Sequence, residues 1–103
     1  MNEAQYMNKL IKRIAIIFPD CIIIRNDPRY IQGVPDILIL YHDRWAVLEV
    51  KVSSNARVQP NQEYYVGLLN EMSFASFINP ENEEAVLSDL QHAFGVARET
   101  RIS

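Results

Sequence analysis

Two aliphatic runs, residues 36–41 and 45–52, separated only by His42-Asp43 and its neighbours, constrain this chain more than any other feature. In the first run Ile37 and Ile39 point to one face and Leu38 and Leu40 to the other. Strands that are apolar on both faces belong in the middle of a sheet, with layers on each side. A tight turn at His42-Asp43 makes the two runs an antiparallel hairpin, and the rest of the chain must supply the covering layers. At 103 residues there is enough chain for one such core and no second, so a single domain over 1–103 is expected.

The covering layers are legible. Met7, Leu10, Ile11, Ile14, Ile17 and Phe18 recur at helical spacing, which predicts a helix over about 3–18 with Lys9, Lys12 and Arg13 on its other side. Asn2 followed three residues later by Gln5 reads as a capping box, and Pro19 ends the run. Glu3 falls on the apolar stripe rather than on the charged face. Residues 21–25 form a short β-branched strand, and 26–35, with Pro28, Gly33 and Pro35, a loop. Pro60 opens a second helix, about 60–71, with Tyr65, Val66, Leu69 and Met72 as its buried stripe. Residues 74–78 form another strand. Pro80 and Glu81, Glu83 and Glu84 start a last helix reaching about residue 91, its acids placed well against the helix dipole. The order αβββαβα gives an α/β fold, a small mixed sheet flanked by helices.

Composition narrows the function. Hydrophobic residues are 49% and charged residues 22%, as in globular proteins. No apolar stretch approaches the ~18 residues of a membrane span, and charges come too early for a signal peptide, so no membrane association and a cytoplasmic location are expected. One cysteine, Cys21, excludes an internal disulfide, and with only His42 and His92 beside it a Cys/His zinc site is out of reach. The net charge of −3 is unevenly spread: residues 1–60 hold eight Lys/Arg against six Asp/Glu, whereas 61–103 hold two against seven. A surface facing a polyanion must come from the first part, although such cations also serve as ordinary solvated faces.

The hairpin carries the chemistry. With its turn at His42-Asp43, Asp36 lies directly across from Glu49, their Cβ atoms about 5 Å apart, and Lys51 shares that face. Opposed carboxylates repel unless something neutralises them, and a hard divalent cation does so with oxygen ligands. The alternative is an ordinary Glu49–Lys51 salt bridge with Asp36 capping a loop. That alternative must explain why acids sit on a hydrophobic sheet and why Glu3 projects from a core stripe.

Pro35-Asp36, twelve residues, then Glu49-Val50-Lys51 resembles the PD-(D/E)xK motif of restriction-endonuclease-like nucleases. The resemblance extends to the αβββαβ order over residues 3–78, here with an extra C-terminal helix. Val34-Pro35-Asp36, Glu49-Val50-Lys51 and Gln62 near the start of the next helix most resemble the VRR-Nuc branch, found in phages and DNA-repair enzymes. The chain departs from it in carrying Glu71-Met72-Ser73 where members tend to have a glycine, in its acidity, and in lacking a separate DNA-reading motif.

The resemblance implies a metal-dependent DNA endonuclease hydrolysing phosphodiester bonds by in-line attack of water, leaving a 5′-phosphate and a 3′-hydroxyl. Asp36, Glu49 and the backbone carbonyl of Val50 would hold Mg²⁺, with Mn²⁺ able to substitute. Glu3 would complete the metal site, through water; its other reading is a first-turn acid satisfying the helix dipole. Lys51 would orient or activate the attacking water. Gln62 would serve Lys51 or a water of the site, unless it only caps the helix after Pro60. Tyr65 is a looser match. Arg29, Arg57 and Lys12 are candidate phosphate contacts. His42 and His92 are expected to be solvent-exposed, and Trp45 to be core.

A nuclease this small would select branched DNA by shape, in the manner of a Holliday-junction resolvase, as a homodimer, or borrow a further DNA-processing protein; if phage-encoded it would act in the host cytoplasm. Val86, Leu87, Leu90, Phe94 and Val96 are candidates for the dimer interface or for the back of the sheet. The rival reading is a non-catalytic nuclease-fold module that binds DNA or protein.

Overall fold

A computed structural model of the chain describes residues 1–96; the remainder of the expected 1–103 domain lies outside the described residues. In chain order the elements are α1 (Glu3–Ile17), β1 (Ile22–Arg25), β2 (Ile37–Tyr41), β3 (Arg44–Val50), α2 (Pro60–Met72), β4 (Phe74–Ile78) and α3 (Glu83–Ala93). They form a small α/β domain whose single sheet runs β1-β2-β3-β4. The β1–β2 and β2–β3 pairs are antiparallel, and β4 returns parallel to β3 after α2.

Local chemistry sets the boundaries. The Gln5 N–H donates to Asn2 Oδ1 at 2.8 Å and the Asn2 N–H to Gln5 Oε1 at 2.9 Å, the reciprocal cap expected from the sequence. His42, at φ 55°, turns the hairpin so that Tyr41 pairs with Arg44. The last helix starts later than its acids suggest. Asn79 Oδ1 accepts from the Glu81 and Asn82 N–H groups, and Asn82 Oδ1 from that of Asn79, so 79–82 is a turn.

The core lies on one face of the sheet. Tyr6, Met7, Leu10 and Ile14 of α1 and Val86, Leu87 and Leu90 of α3 pack onto Ile37, Ile39, Leu48, Val50 and Ile78. Leu90 is 0% exposed and Phe94 6%, so these side chains cover the sheet and are unavailable as a dimer interface. Of the two places open to these residues, they take the back of the sheet. At the start of this layer the Tyr6 hydroxyl donates to Glu83 at 2.8 Å, and Arg13 pairs with Glu83 and Glu84, tying α1 to α3.

The opposite face is covered only in part. α2 packs on β3 and β4, burying Val47 and Ala75. Beyond it Leu38, Leu40 and Trp45 are half-buried, and Ile22 and Ile24 are 59% and 43% exposed. The expectation of two covered faces therefore holds for β3 and fails for β2, because one helix cannot span four strands. Trp45 is consequently not a core residue. No α2 residue is fully buried, and Met72, expected in its stripe, is 66% exposed.

Candidate active site

Register brings the carboxylates together. Ile37 pairs with Leu48, so the next step along the hairpin sets Asp36 opposite Glu49. The same step on the other side sets Asn26 beside Asp36. The Asn26 N–H donates to the Asp36 carbonyl at 2.8 Å, and its side-chain amide to the Pro35 carbonyl at 2.7 Å. Pro35 is buried, and Asn26 thus clamps two successive carbonyls of the backbone on which Asp36 sits. The Val50 N–H donates to Asp36 Oδ2 at 2.8 Å, orienting the carboxylate.

Glu49 is 3% exposed, a buried acid at the end of an otherwise apolar strand. Burial pushes its pKa up to about 8; the Asp36 charge, a hydrogen bond with Asp36 and the charge of Glu3 add to the rise, while Lys51 opposes it. Near neutral pH the pair therefore retains a proton, with Glu49 as its holder, and the unfavourable apposition is relieved by protonation.

Lys51 follows β3 directly, with its side chain 12% exposed. Its ammonium donates to Gln62 Oε1 at 2.8 Å and to the Arg57 carbonyl at 3.0 Å, and lies 3.7 Å from Glu49 Oε2. A plain salt bridge would have made the carboxylate its closest partner. Gln62 bridges instead: its amide donates to Glu49 Oε2 at 3.0 Å while its carbonyl takes the lysine. The same carbonyl accepts from the Gln59 N–H at 2.9 Å. Gln62 thus closes the first turn of α2 and bridges Lys51 to Glu49 at the same time, so capping the helix does not take it away from the cluster.

Two loops hold this helix end in place. Gly33, at φ +93°, lies so close to Asn61 that a Cβ would come within 2.8 Å of its side chain, and Asn61 donates to the Gln32 carbonyl at 3.2 Å. The loop leading into Asp36 therefore docks on the first turn of α2, next to Gln62.

The remaining candidates divide. Glu3 opens α1 at the end of the buried stripe, exposed but close enough for Glu49 to feel its charge. Among the described residues no group of three or more His, Cys, Asp and Glu side chains is close enough to hold a metal ion, so Glu3 stands outside direct reach of the pair. Tyr65 packs edge-on against Tyr64 and does not join the network. Arg29 is highly exposed and held by Asp27, donating through Nε and Nη2 to both carboxylate oxygens. Lys12 and Arg57 are exposed, as are His42 and His92. Asn26, the Arg57 carbonyl and Gln59 complete the site without having been read from the sequence. Asn26 alone left a signal, since extending the β1–β2 register by one residue reaches it.

As a metal site, the donor set fits a hard cation that keeps much of its water. Mg²⁺ is commonly held through one or two carboxylates with waters filling its octahedron. Asp36 and Glu49 supply those carboxylates, and the proton retained on Glu49 marks where positive charge is favoured. Linkage gives a direct check. Glu49 keeps in the folded state a proton that the unfolded chain loses near its ordinary value of 4.5. Its stabilisation is thus complete below that value and is lost as pH rises to about 8. Without added metal, the melting temperature should fall from pH 5 to pH 9 by about 5 °C or more. Glu49→Gln should flatten that fall, and an equally steep fall in the variant would contradict the assignment.

Searches against protein-family models, curated proteins and solved structures returned no significant match to this chain. No helix among the described residues is long and apolar enough to cross a membrane.

Proposed function

We propose that the chain is a metal-dependent DNA endonuclease of the restriction-endonuclease-like kind, closest in its motifs to the VRR-Nuc branch. The observation that carries this reading is a buried, proton-retaining Glu49 opposite Asp36, with Lys51 and Gln62 hydrogen-bonded beside them. Structural ion pairs seldom bury two like charges against an apolar sheet, whereas catalytic groups are commonly tuned in that way. The element order, helix, three strands, helix and strand around one mixed sheet, supports the reading at the level of architecture.

A Mg²⁺ or Mn²⁺ ion held by Asp36, Glu49 and the Val50 carbonyl, with Glu3 acting through water, would neutralise phosphate charge and lower the pKa of its water. The chain's own groups do the rest. Glu49 gives up its retained proton when a cation binds. The Val50 N–H keeps the Asp36 carboxylate aimed, so little reorganisation is needed. Lys51 presents its ammonium to the phosphate oxygens or to the attacking water, where it stabilises charge that grows in the transition state. Gln62 links Lys51 to Glu49 and ties both to the first turn of α2.

Since only the native fold brings the carboxylates together, a cation that binds there must stabilise it. Millimolar Mn²⁺ should raise the melting temperature, more so at pH 8 than at pH 6 because binding displaces a proton. Asp36→Asn should abolish the rise. A wild-type melting curve indifferent to Mn²⁺ would count against the carboxylate site.

For substrate we propose branched DNA cut by a homodimer, since one active site cuts one strand and resolving a junction needs two symmetric cuts. With α3 committed to the core, the partly uncovered face of β1 and β2 is the apolar surface left for such a dimer. β1 is also an edge strand, open to pairing. Cleavage of labelled single-stranded, duplex, flap and four-way-junction DNA tests selectivity. Paired nicks near the junction are expected, and efficient cutting of plain duplex would overturn the substrate assignment.

A further inference from the structure

The segment from Val52 to Gln59 is a strap with both ends on one atom. It leaves the sheet at Lys51, whose ammonium donates to Gln62 Oε1, and it ends at Gln59, whose N–H donates to the same oxygen. Between them the Ser53 hydroxyl donates to Asn55 Oδ1 at 2.6 Å and the Ala56 N–H to the Ser53 carbonyl at 3.3 Å, giving the strap its own folded turn. Its third tie is the Arg57 carbonyl, which accepts from Lys51 at 3.0 Å.

The Arg57 side chain is exposed. Of the other four arginines among the described residues three are engaged, Arg13 by Glu83 and Glu84, Arg29 by Asp27, and Arg44 by Asp43 and the Ala93 carbonyl, while Arg25, exposed on β1, has no tie to the lysine of the site. Arg57 has no such partner among the described residues, and its guanidinium keeps its full capacity for a phosphate. One residue therefore offers a free cation to solvent while its backbone holds the lysine of the site.

We propose that Arg57 is a positioning residue that couples capture of a backbone phosphate of DNA to placement of the Lys51 ammonium. The proposal rests on the nuclease reading and adds to it a substrate-dependent step. A phosphate taken by the guanidinium moves the strap, and the Arg57 carbonyl moves with it. Lys51, tied to that carbonyl, is re-aimed about Gln62, whose place on α2 is fixed. The device makes the lysine fully placed only when DNA is bound on the strap side, which a simple phosphate contact would not do.

The chain has three lysines, Lys9, Lys12 and Lys51, so ¹⁵N-lysine labelling resolves the Lys51 ammonium with little ambiguity. Metal-free protein is titrated with a four-way DNA junction while that resonance is followed, and single-turnover cleavage is measured with Mg²⁺ at saturating DNA. In the wild type the resonance should shift as DNA saturates. In Arg57→Ala, where an exposed side chain is removed and folding is spared, the resonance should stay at its free position even at saturation. The saturated rate should fall about 100-fold, the scale of a roughly 1 Å misplacement. Arg57→Lys should restore the shift and most of the rate. A wild-type resonance unmoved by DNA, or an Arg57→Ala protein with the wild-type shift and saturated rate, overturns the coupling. An Arg57-dependent shift in a protein that cleaves no DNA leaves the coupling standing and removes the nuclease reading instead.

Discussion

Lys51→Ala is expected to cut DNA about 10²–10³-fold more slowly in single turnover, the usual scale for losing one preorganised transition-state donor. Mn²⁺ should still raise the melting temperature of the variant, because the carboxylates proposed to hold the ion are untouched. Folding should survive as well. Gln62 Oε1 keeps its hydrogen bond from the Gln59 N–H, and its amide still reaches Glu49, so no buried polar atom of Gln62 loses its last partner. The contrast with Glu49→Gln is diagnostic. That variant should lose metal binding and cleavage together, whereas Lys51→Ala should separate them. A Lys51→Ala protein that cleaves at the wild-type rate would remove the central residue of the proposed mechanism.

The second large effect is on stability and on assembly. Leu90 is 0% exposed in the layer between α3 and the sheet. Leu90→Asp removes its apolar burial and leaves a charge without a partner, a loss of more than about 4 kcal/mol. Against the ~5–15 kcal/mol that stabilises a typical domain, much of the protein should unfold. Ile22→Asp should behave oppositely. Its side chain is 59% exposed on the edge strand, so the monomer should keep its melting temperature to within a few degrees while self-association is lost. Light scattering and thermal melts distinguish the two. A folded, monomeric Leu90→Asp protein would return the interface to α3, and an Ile22→Asp protein that remains dimeric would remove it from β1.

Much of this architecture was legible because it follows from local patterns. The Asn2–Gln5 cap, the helical stripe through Leu10 and Ile14, and the hairpin register about His42-Asp43 each depend on residues close in sequence. From that register alone, Asp36 falls opposite Glu49. What could not be read depends on how far a helix reaches and on backbone atoms. Periodicity identifies Leu90 and Phe94 as apolar but not whether they meet this sheet or another chain. Likewise Leu38 and Leu40 are apolar whether or not α2 extends over β2. The Arg57 carbonyl and Gln59 N–H carry no side-chain signature, so their ties to Lys51 and Gln62 are invisible in the sequence. For Gln62 the sequence offers a cap or a partner of Lys51 as alternatives, whereas its carbonyl serves both.

The proposed function stands on Asp36, Glu49 and Lys51 acting as a phosphodiester-cleaving site. It is tested most directly by incubating purified wild-type protein with a labelled four-way DNA junction in Mg²⁺, Mn²⁺ or EDTA, beside Lys51→Ala prepared identically. Cleavage is expected in both metals and not in EDTA, with product ends bearing 5′-phosphate and 3′-hydroxyl and a rate reduced at least 100-fold by Lys51→Ala. Absence of metal-dependent cleavage by the wild type on any branched or linear DNA, or equal cleavage by wild type and variant, would contradict it.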